Sequence, residues 1–341
     1  MGWSLIARLV ATDIPTVVWH DGQQYEWVSI SRFVRTDGID LATVIDQALN
    51  TPARPLAERE VNPVADLVID GRHGPRAVRI HHVVDTFGEV CGLQLWCDDP
   101  SVPVEPRTRA AGYMFDHAEG AVTNSEDTWL LGASDTDGYG RVADPDQFLN
   151  QVVRVDNVTE TIELCAVPPQ RESQIARSTL LHRDGHLDTV VTPARAYPDG
   201  VRFLSLIITP WAPPEIDPGT AMHLAESTNP DQLCALVSFL SDDNLPVIVY
   251  WASRPPPWLA FWSGTASVAR GEEGVIHEED RGPLSEACAA LDAGAESVTV
   301  VLRLRTAEAG WRTVRAVCTV YPAPQKLRLY VATMSPVDPD L

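Results

Sequence analysis

No apolar run in the 341-residue sequence approaches the roughly 18 residues that a membrane-spanning helix requires. The short apolar stretch Met1–Val10 is broken by Arg8 and has no small-residue cleavage site, so no secretory signal is expected and the protein reads as cytoplasmic. Lysine is nearly missing: Lys326 stands alone and the other basic residues are arginine, a codon bias before it is a functional choice. Positive charge is scarce altogether, with 26 basic against 47 acidic residues and a net charge of −21. Such a surface repels phosphate backbones and anionic lipid, which argues against nucleic-acid and membrane-surface partners. No C-x-x-C pair occurs among Cys91, Cys97, Cys165, Cys234, Cys288 and Cys318, which read as buried free thiols of a reducing compartment.

Catalytic signatures are missing as well. His182-Arg183-Asp184 resembles a kinase catalytic loop, but Thr189 stands where that loop needs asparagine. Asp85-Thr86-Phe87-Gly88 lies on the wrong side of it, and there is no glycine-rich loop or strand lysine. Neither a nucleophile elbow, a phosphate loop nor a carboxylate pair of defined spacing is found, and no enzyme activity is expected. His81 and His82 are neighbours on a strand and point to opposite faces. His182 and His186 straddle a turn without further ligands nearby, so no metal site is expected.

What is present is a globular composition, 45% hydrophobic and 21% charged, in a chain long enough for two or three domains. Two proline-rich acidic stretches, Asp98–Pro106 and Pro210–Pro218, read as linkers. They divide the chain into 1–104, 105–214 and 215–341. Each part ends in a hairpin signal followed by a proline: Ala77–Val84 with Cys91–Trp96, Thr189–Tyr197 with Val201–Ile208, and Thr313–Tyr321 with Lys326–Met334. A further strand precedes the last two, Ile175–His182 and Val298–Arg305, which makes a three-strand meander repeated at domain spacing. Helical periodicity falls upstream. Asp40 caps an apolar stripe from Leu41 to Leu49, and Asp144-Pro145 opens one through Phe148 to Val153. Asn229-Pro230 opens Leu233, Leu236, Val237 and Leu240, and Leu284–Leu291 precedes Gly294. Strands, then helices, then three long strands is an α+β order.

The middle part carries a family resemblance. Tyr113–Asn124 followed by Trp129-Leu130-Leu131-Gly132 resembles the opening of a PAS domain: a strand, an Asp-to-Gly turn, a second strand, then a short helix that Asn124 can cap. His182–His186 with the strands after it resembles the closing half of such a sheet. In the third part, Val247–Trp251 with Trp258–Trp262 is the expected opening hairpin, although its turn, Ser253–Pro257, lacks the Asp-Gly pattern. The first part has strands Thr16–Trp19 and Glu26–Ile30 after an N-terminal helix-like run, and suits either a divergent PAS or the related GAF fold. The whole chain resembles a mycobacterial family of sensor-domain-only proteins with one GAF-like and two PAS-like domains. The fold this implies is three consecutive antiparallel sheets flanked by short helices.

That resemblance implies a non-enzymatic sensor or scaffold in signal transduction, acting through protein partners and a small ligand. The flavin-binding Asn-Cys-Arg-Phe-Leu stretch, a helical haem histidine on Pro145–Val153 and the cyclic-nucleotide signature are all missing, so none of those cofactors is expected. An apolar pocket remains open to a ligand. A structural adaptor without a pocket is the alternative, and an enzyme of unrecognised class comes after it. The proposed partner contact is Trp258 with Arg254 beside a rigid proline turn, facing a partner with a basic surface. Packing of Trp258 on its own domain is the competing reading.

Overall fold

The protein is seen in a computed structural model that describes residues 2–30, 32, 41–71, 74–119, 121–131, 139–143, 152–156, 158–166, 169–181, 187–208, 233–238, 246–251, 258–259, 275–308, 310–321 and 328–337. Its first sheet is made of β1 (Ser4–Ala7), β2 (Thr16–His20), β3 (Gln23–Ser29), β4 (Ala65–Gly71), β5 (Gly74–Val84) and β6 (Val90–Asp98). The spatial order is β3-β2-β1-β6-β5-β4, all antiparallel. The helices α1 (Leu41–Leu49) and α2 (Leu56–Val61) lie between β3 and β4 in sequence. The second sheet comprises β7 (Ala110–Asp116), β8 (Ala121–Thr123), β9 (Val142–Ala143), β10 (Val152–Val155), β11 (Ser173–Leu181), β12 (Leu187–Tyr197) and β13 (Gly200–Ile208), in the order β10-β11-β12-β13-β7-β8-β9. It carries the short α3 (Glu126–Trp129) and α4 (Val158–Cys165). In the third, β14 (Leu233–Ser238), β15 (Val247–Trp251), β16 (Val298–Arg305), β17 (Trp311–Val320) and β18 (Leu329–Pro336) run β15-β14-β18-β17-β16, with α5 (Glu278–Asp292) before the meander.

One arrangement recurs in all three sheets. A first strand sits between its hairpin partner and the last strand of a three-strand meander: β2-β1-β6-β5-β4, β8-β7-β13-β12-β11 and β15-β14-β18-β17-β16. The meander expected from the sequence is therefore present three times, including in the first part, where β4 was not anticipated. Its alternation is plain in β16, where Val300, Leu302 and Leu304 are buried while Thr299 and Val301 are exposed. The helices follow their apolar stripes. Leu41, Ile45, Ala48 and Leu49 are the buried positions of α1, and Leu284, Ala287, Cys288 and Leu291 those of α5. Gly294, at φ +101, ends α5 in the left-handed conformation that glycine adopts without steric cost. Glu279 and Asp280 in the first turn of α5 grip the Arg303 guanidinium at 2.7 and 2.8 Å, which ties the helix to β16.

Four expectations are corrected. The N-terminal helix-like run contains β1, a central strand buried on both faces, so its side chains are apolar without alternation. Leu233, Leu236 and Val237 belong to β14 rather than a helix, for the same reason: Leu233, Ala235 and Val237 face the third core while Leu236 is buried on the opposite face. Leu240 lies outside the described residues. Val152 and Val153, a β-branched pair of the kind that favours strands, open β10, which pairs with β11; Asp144 to Leu149 lie outside the described residues. The opening hairpin of the third sheet is β14–β15, since Val247–Trp251 pairs with Ala235–Ser238 and Leu259 bridges to Thr306.

The first two sheets pack face to face. In β1, Ile6 points to the core under α1, with Ile45, Leu49, Val78 and Ile80, while Leu5 and Ala7 point the other way. There they meet Val191, Leu204 and Leu206 of the second sheet, together with Val18, Val83 and Cys91. Two glycines permit the approach. A Cβ on Gly92 would stand 2.6 Å from the Ile6 carbonyl oxygen and 2.8 Å from Leu204, and one on Gly112 would collide with Cys91 Sγ. Arginines of the second sheet lie over aromatic rings of the first, Arg195 over Trp27 at 4.8 Å and Arg202 over Phe87 at 5.3 Å. Trp27 itself has φ +51, at an irregularity in the β2–β3 register. Tyr197 donates to Asp13, which also pairs with Arg195 at 3.3 Å. The first linker is held down as well: Trp3 Nε1 donates to the Glu105 carbonyl at 2.9 Å, and buried Gln94 joins Arg107 to the Thr108 carbonyl.

The third sheet touches the second through a smaller cluster of Ile162, Leu236 and Leu329, flanked by Val158, Tyr321 and Val331. The second linker lies outside the described residues. Among the described residues, no helix is long and apolar enough to cross a membrane.

A candidate ligand cleft where two sheets meet

At the rim of the seam, the turn after β5, the short helices α2 and α3, and the segment Tyr139–Arg141 line an open cleft of about 430 Å³. Its lining includes Leu56, Arg59, Val84 to Gly88, Ser125 to Asp127, Tyr139 and Arg141. Each part has a local cause. After β5 the chain must reverse, and Asp85 Oδ1 accepts the backbone N–H groups of Phe87 and Glu89 at 2.8 and 3.0 Å while Gly88 takes φ +85. Burial raises the Asp85 carboxyl above its ordinary pKa, and those two N–H donors oppose the rise. Phe87 is left 52% exposed at the lip.

Across the cleft, α3 is one turn held by a capping box in which Ser125 and Thr128 exchange hydrogen bonds. Ser125, rather than Asn124, is the cap; Asn124 offers its carbonyl to the Tyr139 hydroxyl at 3.1 Å. Thr128 also donates to the Gly112 carbonyl at 3.0 Å, which fixes α3 on the second sheet. Asp127 of this turn meets Arg59 of α2 at 2.8 Å, with both side chains about 15% exposed (15% and 14%). This ion pair joins residues 68 positions apart and bridges the first two parts of the chain.

Behind the pair is an inner hollow of about 20 Å³, lined by Leu56, Arg59, His82, Arg107, Arg109, Ala110, Asp127 and Leu130. Arg109 spans it to donate to the Leu130 carbonyl at 2.9 Å. His81 and His82 do point to opposite faces of β5. His81 Nδ1 donates to the Arg59 carbonyl at 3.1 Å and stacks edge-on against Trp3, while His82 Nε2 donates to the Ala48 carbonyl at 2.8 Å. Carbonyl acceptors fix the protonated nitrogen in each ring. Burial lowers both histidines, His81 to about 4, and neighbouring arginines add to the effect.

The residues singled out from the sequence lie elsewhere. Trp258 is half-buried against the core of the third sheet, with the Arg312 guanidinium 4.7 Å from its ring centroid and its carbonyl accepting from Ala307 N–H. Arg254, His182 and His186 lie outside the described residues. Arg59, Arg107, Arg109, Asp127 and Tyr139 were not anticipated. Asp85–Gly88 carries a turn signal, but no local pattern pairs Arg59 with Asp127.

Residues 2–106 match a family described as Rv3651-like, N-terminal. No curated protein matches the chain. Among solved structures, an RNA-binding light-oxygen-voltage receptor is 8% identical with a TM-score of 0.24, covering 67% of this chain and 93% of the other, a likeness too slight to bear on the fold. The crystal structure of an uncharacterised protein from Mycobacterium tuberculosis is 15% identical, covers 99% of this chain and 97% of the other, and superposes with a TM-score of 0.67, so the chain shares that fold over its whole length.

Proposed function

We propose that the chain is a non-enzymatic sensor or scaffold in signal transduction, built of three PAS- or GAF-like domains near 1–104, 105–214 and 215–341. The observation that carries this reading is the cleft at the rim of the seam, because its walls come from both of the first two sheets. A molecule held there touches α2 and the Asp85–Gly88 turn on one side and α3 with Tyr139 on the other, so occupancy couples to how the two sheets sit. The sheet order supports the PAS reading: hairpin, helical connection and three-strand meander recur in each part. The output passes by contact to a protein partner, and the net charge of −21 favours one with a basic surface. Trp258 and Arg254 of the third part stay the proposed contact.

Native mass spectrometry of the full chain purified from its own host tests the reading. A co-purifying small molecule or protein is expected, with small-molecule occupancy falling in Phe87→Ala and Tyr139→Ala. A chain that carries neither, and shows no partner when cross-linked in its host, would overturn the sensor and scaffold roles alike.

A further inference from the structure

Three arginines of this acidic chain meet at the inner hollow. Arg59, Arg107 and Arg109 line the hollow, and Arg141 stands on the outer cleft. The field of the group is felt by both neighbouring histidines. After burial, Arg107 and Arg79 lower His81 while Asp66 acts in the opposite sense, and Arg59, Arg54 and Arg8 lower His82. Both rings therefore stay neutral at pH 7, and the positive charge here belongs to guanidinium groups.

We infer that the inner hollow binds the anionic head, a carboxylate or phosphate, of a small organic acid whose apolar or aromatic body lies in the outer cleft. This rests on the sensor reading above and names the ligand class for that same cleft. Size and lining both fit. A hollow of about 20 Å³ admits the oxygen tip of the head, and a cleft of about 430 Å³ suits the rest of a small organic molecule. Guanidinium N–H groups in a fixed fork are the donors that match planar or tetrahedral oxyanions. Arg59 is held in place by its contacts to Asp127 and to the Arg54 carbonyl, 2.7 Å away, and Arg107 and Arg109 by Gln94 and the Leu130 carbonyl, so the guanidinium planes are ordered before any ligand arrives. Leu56, Val84, Phe87 and Tyr139 offer apolar and ring surface to the body of the ligand. The hollow's three arginines outnumber its one carboxylate, Asp127, and Asp85 and Glu126 on the outer wall repel a second negative group. The site thus favours an acid charged at one end over a polyanion.

Calorimetric titration of the full chain at low ionic strength, with phenyl phosphate and phenylacetate as probes, tests this directly. Benzyl alcohol supplies the neutral control and pyrophosphate the polyanion. At least one aromatic acid is expected to bind more tightly than either control, and at least tenfold more weakly to Arg107→Gln/Arg109→Gln. Raising the salt should weaken binding further. Phosphate and carboxylate heads are told apart by which acid binds more tightly. Arg109→Gln alone, at an exposed position, keeps the test valid if the double variant does not fold; a loss of affinity is expected there too. Failure of both acids to bind, equal binding of benzyl alcohol, or unchanged affinity in a folded variant would overturn the anion site. A neutral ligand found by native mass spectrometry would leave the sensor role standing while sinking this one.

Discussion

The junction of the first and second sheets differs in kind from the junction of the second and third. At the first, whole sheet faces meet: Leu5, Ala7, Val18, Val83, Val191, Leu204 and Leu206 form one apolar layer, and two glycines remove the side chains that would hold the sheets apart. At the second, among the described residues, a helix edge around Ile162 meets Leu236 and Leu329. Face-to-face burial excludes water over a broad area and couples the stabilities of its partners; an edge contact does so far less. The first two sheets therefore behave as one body, with the third attached to it. A shared strand order does not fix how neighbouring modules join.

The comparison can be broken at several points. Leu204→Ala should cost about 3 kcal/mol and lower the first two sheets together, in a single calorimetric transition. If the two sheets separate into independent transitions in the unaltered chain, the seam does not unite them. Ile162→Ala should cost less, about 2 kcal/mol, and should speed proteolytic release of the third part while leaving the first two joined. First cutting within Pro100–Glu105 would reverse that order. The Arg59–Asp127 pair should show a coupling of about 1 kcal/mol in a double-mutant cycle of Arg59→Gln and Asp127→Asn; no coupling would mean that the helices are held by packing alone. The smallest effect is on acid stability. His81 is lowered to about 4 in the fold, so its neutral form stabilises above its ordinary value of 6.5, and that contribution is lost as pH falls from about 6.5 to 4. His81→Gln should flatten the melting-temperature profile in that window, and an unchanged slope would place the acid sensitivity elsewhere.

The repeated meander was readable in the sequence because Val298–Arg305 and its counterparts alternate and end at turns or prolines. The helices α1 and α5 were readable from their periodic stripes and, for α5, from Gly294. Strands buried on both faces were not: β1 and β14 lack alternation, and nothing local separates such a run from a buried helix. The seam was hidden for the same reason. Its residues look like ordinary core, and only the fold shows that Leu5 and Ile6 serve different cores. The cleft needed more still, since Arg59, Arg107 and Asp127 come together only once the sheets are stacked.

The placement of β1 in the middle of its sheet has a consequence during synthesis. Ser4–Ala7 pairs with Gly92–Leu95, so the first sheet cannot close until the roughly ninety residues that separate these strands have been made. Its outer face must then wait for Leu204 and Leu206. At roughly 5–20 residues per second, that wait lasts on the order of 5–20 seconds. Throughout it the ribosome carries a nearly finished module with an uncovered apolar wall, the state in which a nascent chain most needs a chaperone or a slow competitor.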